Sequence, residues 1–152
     1  MRQAVLAALF CSLFVTGCSQ YIMKVRLFDT NKKPVMDAGI AVRGKYVSGY
    51  SERGGRRQPV LKEFYAMRKY SYGEMGFGIW GMPDSFQVSA DAPGFQKLVG
   101  SVTRSMEDGL LEYRVKDVNA PYSFSNVLVT VKGSKNIFID VFLRSSSSRG
   151  WR

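Results

Sequence analysis

From Tyr21 to Phe28, Met23, Val25 and Leu27 alternate with Lys24 and Arg26, which predicts a strand with one buried face. Phe28 breaks the alternation on the outer face. The polar run Asp29 to Pro34 predicts a turn, after which Ala38, Ile40 and Val42 resume the pattern as a second strand. Phe77 to Trp80, Phe86 to Ala90 and Phe95 to Thr103 predict further short strands. They are separated by Gly81-Met82-Pro83-Asp84 and Asp91-Ala92-Pro93-Gly94, whose proline and glycine suit turn dihedrals. Leu111, Tyr113 and Val115 alternate with Glu112, Arg114 and Lys116. Val127 to Val131 and Ile137 to Leu143, joined through residues 132 to 136, predict a closing hairpin. About seven short strands in one domain favour an all-β antiparallel sandwich over a parallel α/β sheet. Only Pro59 to Lys69 is predicted as a short helix, because Leu61, Phe64 and Arg68 fall at helical spacing and proline suits a first turn.

The first twenty residues follow a different pattern. Arg2 supplies a short positive region, and Ala4 to Val15 form an apolar stretch too short for a stop-transfer helix. These features predict a signal peptide. Val15-Thr16-Gly17-Cys18 resembles the lipobox of bacterial lipoproteins, in which an aliphatic residue and two small ones precede the cysteine that becomes the new N-terminus. The resemblance implies a diacylglycerol thioether on Cys18, usually with an N-acyl chain, and several chains anchor stably where one is marginal. Cys11 lies in the segment that would be cleaved away, so no disulfide is expected. Ser19, where an aspartate would suggest inner-membrane retention, favours the outer membrane of a Gram-negative envelope. The alternation begins almost at once after Cys18, leaving a tether of two or three residues that spans about 10 Å at most. The expected organisation is a leader over residues 1–17, a lipidated N-terminus and tether over 18–20, a sandwich over 21–143 with an insertion at 43–75, and a flexible basic tail over 144–152.

Composition removes several function classes. The chain of 152 residues is 45% hydrophobic and 22% charged, a globular composition sized for one core. It has no histidine, which excludes imidazole metal sites and Ser-His or Cys-His nucleophile pairs. Loss of the leader takes the formal charge from +10 to +9, since Arg2 is its one charged side chain. Without histidine, an enzyme would rely on Asp, Glu, Lys, Tyr or Ser. Glu107 and Asp108 are adjacent and would point apart on a strand. Asp29-Thr30-Asn31 lacks the continuation of a calcium loop, and Gly76-Phe77-Gly78 is a fragment of a phosphate loop. No catalytic residue, cofactor or metal is therefore expected.

Two stretches resemble the carboxypeptidase regulatory-like domains, which are transthyretin-like β-sandwiches. The first is Val25-Arg26-Leu27-Phe28-Asp29 followed by residues 33 to 42, Lys33-Pro34-Val35-Met36-Asp37-Ala38-Gly39-Ile40-Ala41-Val42. The second runs from Glu74-Met75-Gly76-Phe77-Gly78-Ile79-Trp80 to Phe86-Gln87-Val88-Ser89-Ala90-Asp91-Ala92-Pro93-Gly94-Phe95. The resemblance implies a non-catalytic accessory module, and it covers residues 24 to 103. The family joins its second strand to the glycine-phenylalanine strand by a brief turn, whereas here Arg43 to Met75 intervene, about thirty residues more than a usual connection. A purine-pathway hydrolase shares the fold but depends on histidines that this chain lacks.

The intervening segment is basic. Residues 43 to 69 hold eight cations against Glu52 and Glu63, with tyrosines and Phe64 interleaved. Arg53, Arg56, Arg57, Lys62, Arg68 and Lys69, with Tyr65 and Tyr70, are the candidate residues for binding an anion or a partner, because cations mixed with aromatics pair with phosphates and stack on rings. The same charges also read as a solvated loop over packed aromatics. An exported address points to an anionic envelope lipid or polymer, or to a protein partner, rather than to nucleic acid. The expectation is a membrane-anchored envelope module that binds or assembles. A structural lipoprotein of a secretion apparatus is the alternative by analogy of fold and location, and an envelope hydrolase without histidine is a third.

Overall fold

The computed structural model describes residues 20–107, 110–118 and 127–146. Cys18 and the leader lie outside the described residues, as do Glu107's neighbour Asp108 and the chain beyond residue 146. Nine strands follow in chain order: β1 Tyr21–Asp29, β2 Ala38–Arg53, β3 Arg56–Ser71, β4 Glu74–Ile79, β5 Met82–Asp91, β6 Leu98–Glu107, β7 Leu110–Val118, β8 Val127–Lys132 and β9 Asn136–Leu143. They form a sandwich of two sheets, ordered β4-β1-β9-β8 and β3-β2-β5-β6-β7. All pairings between these strands are antiparallel except β1 with β9, which run parallel.

The alternation in sequence becomes the core. Met23, Val25 and Leu27 from β1 and Ile137, Ile139, Val141 and Leu143 from β9 face Ile40, Val42, Phe86, Val88 and Val102 of the other sheet, all buried. Between them the two sheets exclude water from one continuous apolar layer, the main source of stability in such a fold. On the outer side of the four-stranded sheet, Arg26 lies opposite Asp140 and grips it with two hydrogen bonds, Nε to Oδ1 at 2.6 Å and Nη2 to Oδ2 at 2.8 Å. That hydrogen bond raises the Arg26 pKa, against a smaller desolvation effect. The guanidinium also sits 5.1 Å from the Phe138 ring centroid. Phe28, which broke the sequence pattern, stacks on Phe142 beside this pair with centroids 5.7 Å apart.

The turns carry the expected chemistry at three places. Asp29 Oδ1 accepts hydrogen bonds from the backbone N–H groups of Asn31 and Lys33, each at 2.8 Å, an Asx-type closure of the turn before Pro34. Gly94 takes φ 81° in the turn after β5. Residues 133 to 135 close the β8–β9 hairpin.

Three expectations are corrected. Residues 59 to 69 are not a helix. They lie inside β3, where Phe64 and Ala66 turn inward and Tyr65 and Met67 outward, so the period is two. Pro59 is tolerated because β3 is a sheet edge, and an edge strand can spare an N–H on its open side. Pro83 and Asp84 are not in a turn but in β5, at a register shift where Lys45 faces Ser85 and Tyr46 faces Pro83, leaving Asp84 as the extra residue of a bulge. The tail begins tied down: Gln96 N–H donates to the Arg144 carbonyl at 2.8 Å and Ser146 N–H to the Gly94 carbonyl at 2.9 Å. Residues 144–146 thus continue the fold past β9.

Candidate binding surface

The segment expected as an inserted loop is a long hairpin. β2 and β3 are each 16 residues, and they pair from Ala38↔Ser71 to Arg53↔Arg56. Gly54 and Gly55, at φ 58° and 73°, form the two-residue connection, the left-handed pair that a tight turn between twisted strands requires. The hairpin has two parts. Up to Val47, which faces Met82, β2 is also paired with β5 and belongs to the body of the sandwich. Beyond Val47 its only partner among the described residues is β3. Residues 48 to 61 therefore form a two-stranded arm, about 20 Å long at the usual rise per residue. A bulge at Ser48, between the Val47↔Leu61 and Gly49↔Val60 pairs, marks its root, where Ser48 Oγ donates to the Val60 carbonyl at 3.1 Å.

The arm divides the candidate residues. Arg53, Arg56 and Arg57 gather at the tip, all exposed, with Arg57 stacked on Tyr50 at 4.4 Å from Cζ to the ring centroid. Glu52, opposite Arg57, is the carboxylate on the arm. Lys62, Tyr65, Arg68 and Lys69 lie farther down β3, exposed along the body edge. Arg57 and Tyr65 are eight residues apart on one strand, about 27 Å. Alternation also puts Lys62 on the side of Phe64 and Tyr65 on the opposite side. The structure thus brings three of the eight expected residues to one tip, with Arg53 and Arg56 on one face and Arg57 on the other, and spreads the others. Tyr70 lies in β3, and its side chain is outside the described set.

A second feature was missed in the sequence. On the outer side of the five-stranded sheet, Arg43, Lys45 and Tyr65 bound an open groove of about 720 Å³ whose floor includes Ser85, Ser101 and Thr103. Both Arg43 Nε and Nη2 donate to Gln87 Oε1, at 3.0 and 2.8 Å, which fixes the guanidinium over the sheet. Tyr65 Oη donates to Met67 Sδ at 3.1 Å. The signal was present: Ser85, Gln87 and Ser89 are the polar partners in the alternation of Phe86, Val88 and Ala90, and the next strand repeats it with Ser101 and Thr103. Polar outward positions are ordinary on a sandwich, so composition alone did not single them out.

Among the described residues no three His, Cys, Asp or Glu side chains converge to hold a metal ion. Within the framework, the Asp140 hydrogen bond raises the Arg26 pKa and burial raises that of Tyr113. What the arm offers is cationic hydrogen-bond donors in fork geometry, suited to phosphate or carboxylate groups, beside a single ring, Tyr50, on which Arg57 stacks. No family model, curated protein or solved structure matches the chain.

Proposed function

We propose that the protein is a non-catalytic, lipid-anchored module of a bacterial envelope, held at the membrane by acylated Cys18, and that it binds an anionic envelope component through the β2–β3 arm. The observation that carries the binding reading is the gathering of Arg53, Arg56 and Arg57 at the tip of an arm that contributes no residue to the main hydrophobic core. A hairpin with both faces in water is marginal by itself. Extending one with its cations concentrated at the end serves contact with something outside the fold. The lipobox-like Val15-Thr16-Gly17-Cys18 supports the address. A two-sheet sandwich is the architecture that the carboxypeptidase regulatory-like resemblance implies.

The test uses the mature protein in neutral detergent, titrated with an acidic glycan and, separately, with a phosphorylated glycolipid. Binding should weaken steeply as salt rises and the screening length falls to about 10 Å at 0.1 M. It should be lost in the triple variant Arg53→Ala, Arg56→Ala, Arg57→Ala. Affinity indifferent to both salt and the triple substitution would overturn the arm as a binding element. An unmodified Cys18 in intact-mass spectrometry of the membrane fraction would overturn the anchor.

A further inference from the structure

The arm and the chain's N-terminal approach share one end of the sandwich. β1 starts at Tyr21 opposite Ile79, the last residue of β4. The β4–β5 turn follows at Trp80 and Gly81, and it leads into Met82, which pairs with Val47 at the root of the arm. The β8–β9 turn closes the same end, since Ile22 N–H donates to the Lys135 carbonyl at 2.9 Å. The opposite end carries the 29–34 and 91–94 turns and the docked Arg144–Ser146 segment. Any anchor just before Gln20 therefore leaves the body on the side toward which the arm points.

We infer that the arm is a second membrane contact, its tip arginines binding the acidic headgroups of the bilayer that holds the acyl chains. This rests on the lipid-anchor reading of Cys18. Three residues from Cys18 to Tyr21 reach about 10 Å at full extension, half the length of the arm. A headgroup layer is about 6 Å deep on each side of the hydrocarbon. The body cannot hang from so short a tether with a 20 Å arm on the same side unless the arm lies along the headgroups or the body tilts to press it there. The side chains fit that position. Arg53, Arg56 and Arg57 supply charge, and the exposed Tyr50, Leu61 and Trp80, the last 60% exposed, supply the amphipathic and apolar groups that settle at an interface. Lys132 and Lys135 add exposed cations on the β8–β9 turn of that end. A phosphate-rich leaflet complements this set, and the two contacts, acyl and cationic, would fix the orientation of the domain as well as its location.

The test places a nitroxide label on the full acylated chain at Ser51→Cys in the arm or at Asn31→Cys at the far end. The protein is reconstituted into vesicles of phosphatidylethanolamine with phosphatidylglycerol, or of phosphatidylcholine alone. Intact mass on the same samples reports acylation of Cys18. In acidic vesicles the label at residue 51 should lose collisions with a water-soluble nickel relaxant several-fold, while that at 31 keeps them. Charge reversal by Arg53→Glu, Arg56→Glu and Arg57→Glu should restore access at 51. Acylated Cys18 with residue 51 as accessible as residue 31 would overturn the membrane contact while leaving the anchor intact. Protection at 51 in native envelopes but not in vesicles would also overturn it, in favour of a protein partner. Unmodified Cys18 would overturn both readings.

Discussion

β2 is one strand with two physical lives. In its first half Ala38, Ile40 and Val42 are buried between sheets, with β3 on one side and β5 on the other. In its second half Ser51, Glu52 and Arg53 are exposed and, among the described residues, pair with β3 alone. The backbone is extended in both. The difference is what each residue removes from water, so the same hydrogen-bond ladder is locked in the body and merely continued in the arm. Stability is concentrated in the body, the arm is the part proposed above to make outside contacts, and the two should respond to substitution in different ways.

The largest contrast comes from truncating the core. Leu27 is fully buried on β1, and Leu27→Ala should cost about 2 to 5 kcal/mol, from lost transfer energy and the cavity left behind. Urea unfolding of the detergent-solubilised chain reads this directly, and a loss below about 1 kcal/mol would mean the sheets close over the gap.

Glycines on the same strand sharpen the comparison. A Cβ at Gly44, in the body, would run into the Ser85 carbonyl oxygen and the Phe86 backbone and side chain, so Gly44→Ala should destabilise by about 1 to 3 kcal/mol through overpacking. At Gly49, in the arm, nothing lies within 4 Å of the added carbon. Gly49→Ala should leave stability unchanged or raise it by up to about 1 kcal/mol, since alanine has fewer unfolded conformations to lose. Equal effects at 44 and 49 would erase the distinction between the two halves of β2.

The same distinction explains what was legible in the sequence. β1 and β5 each have one wetter and one dry face, so Met23, Val25 and Leu27, or Phe86, Val88 and Ala90, stand out against their polar neighbours. The arm has water on both faces, and nothing selects a period of two between Ser48 and Leu61. Its readable signal was the Gly54-Gly55 pair, a two-residue hairpin connection, which the weight of surrounding charge obscured. The helical spacing of Leu61, Phe64 and Arg68 is a coincidence of an edge strand in which Phe64 packs on Phe77 with centroids 6.1 Å apart while Leu61 and Arg68 stay in water. Charge marked the candidate residues but not their grouping, because the sequence distance between Arg57 and Lys69 hides how far an extended chain separates them.

A smaller effect separates body from arm through pH. Tyr113 on β7 is buried, and its hydroxyl donates to the Pro83 carbonyl at 2.9 Å beside the bulge of β5. Burial raises its pKa, with Arg104 pulling the other way. The unfolded chain releases this proton near the ordinary tyrosine value of about 10, while the native state keeps it. The contribution is thus complete below pH 10 and falls as pH rises from there towards the native pKa. Tyr113→Phe should remove that alkaline loss and lower stability at neutral pH by about 1 kcal/mol for the missing hydrogen bond. A stability profile above pH 10 with the same slope in both proteins would place the titrating group elsewhere.

The smallest change in stability should come from the residues proposed to matter most for contact. Arg53, Arg56 and Arg57 touch no buried side chain of the main core, and Arg57 on Tyr50 is an exposed stack. Replacing all three by alanine should shift the unfolding free energy by no more than about 0.5 kcal/mol, the usual range for surface positions away from caps, cores and networks. Removing like charges that crowd one turn offsets the lost stack, so even the sign rests on a near balance. A triple variant that lost several kcal/mol in urea would show the tip to be part of the folding unit, and its loss of binding would then carry no information about recognition. A triple variant that unfolds with the parent while releasing acidic ligands separates the two roles, because no shared structural cause links them.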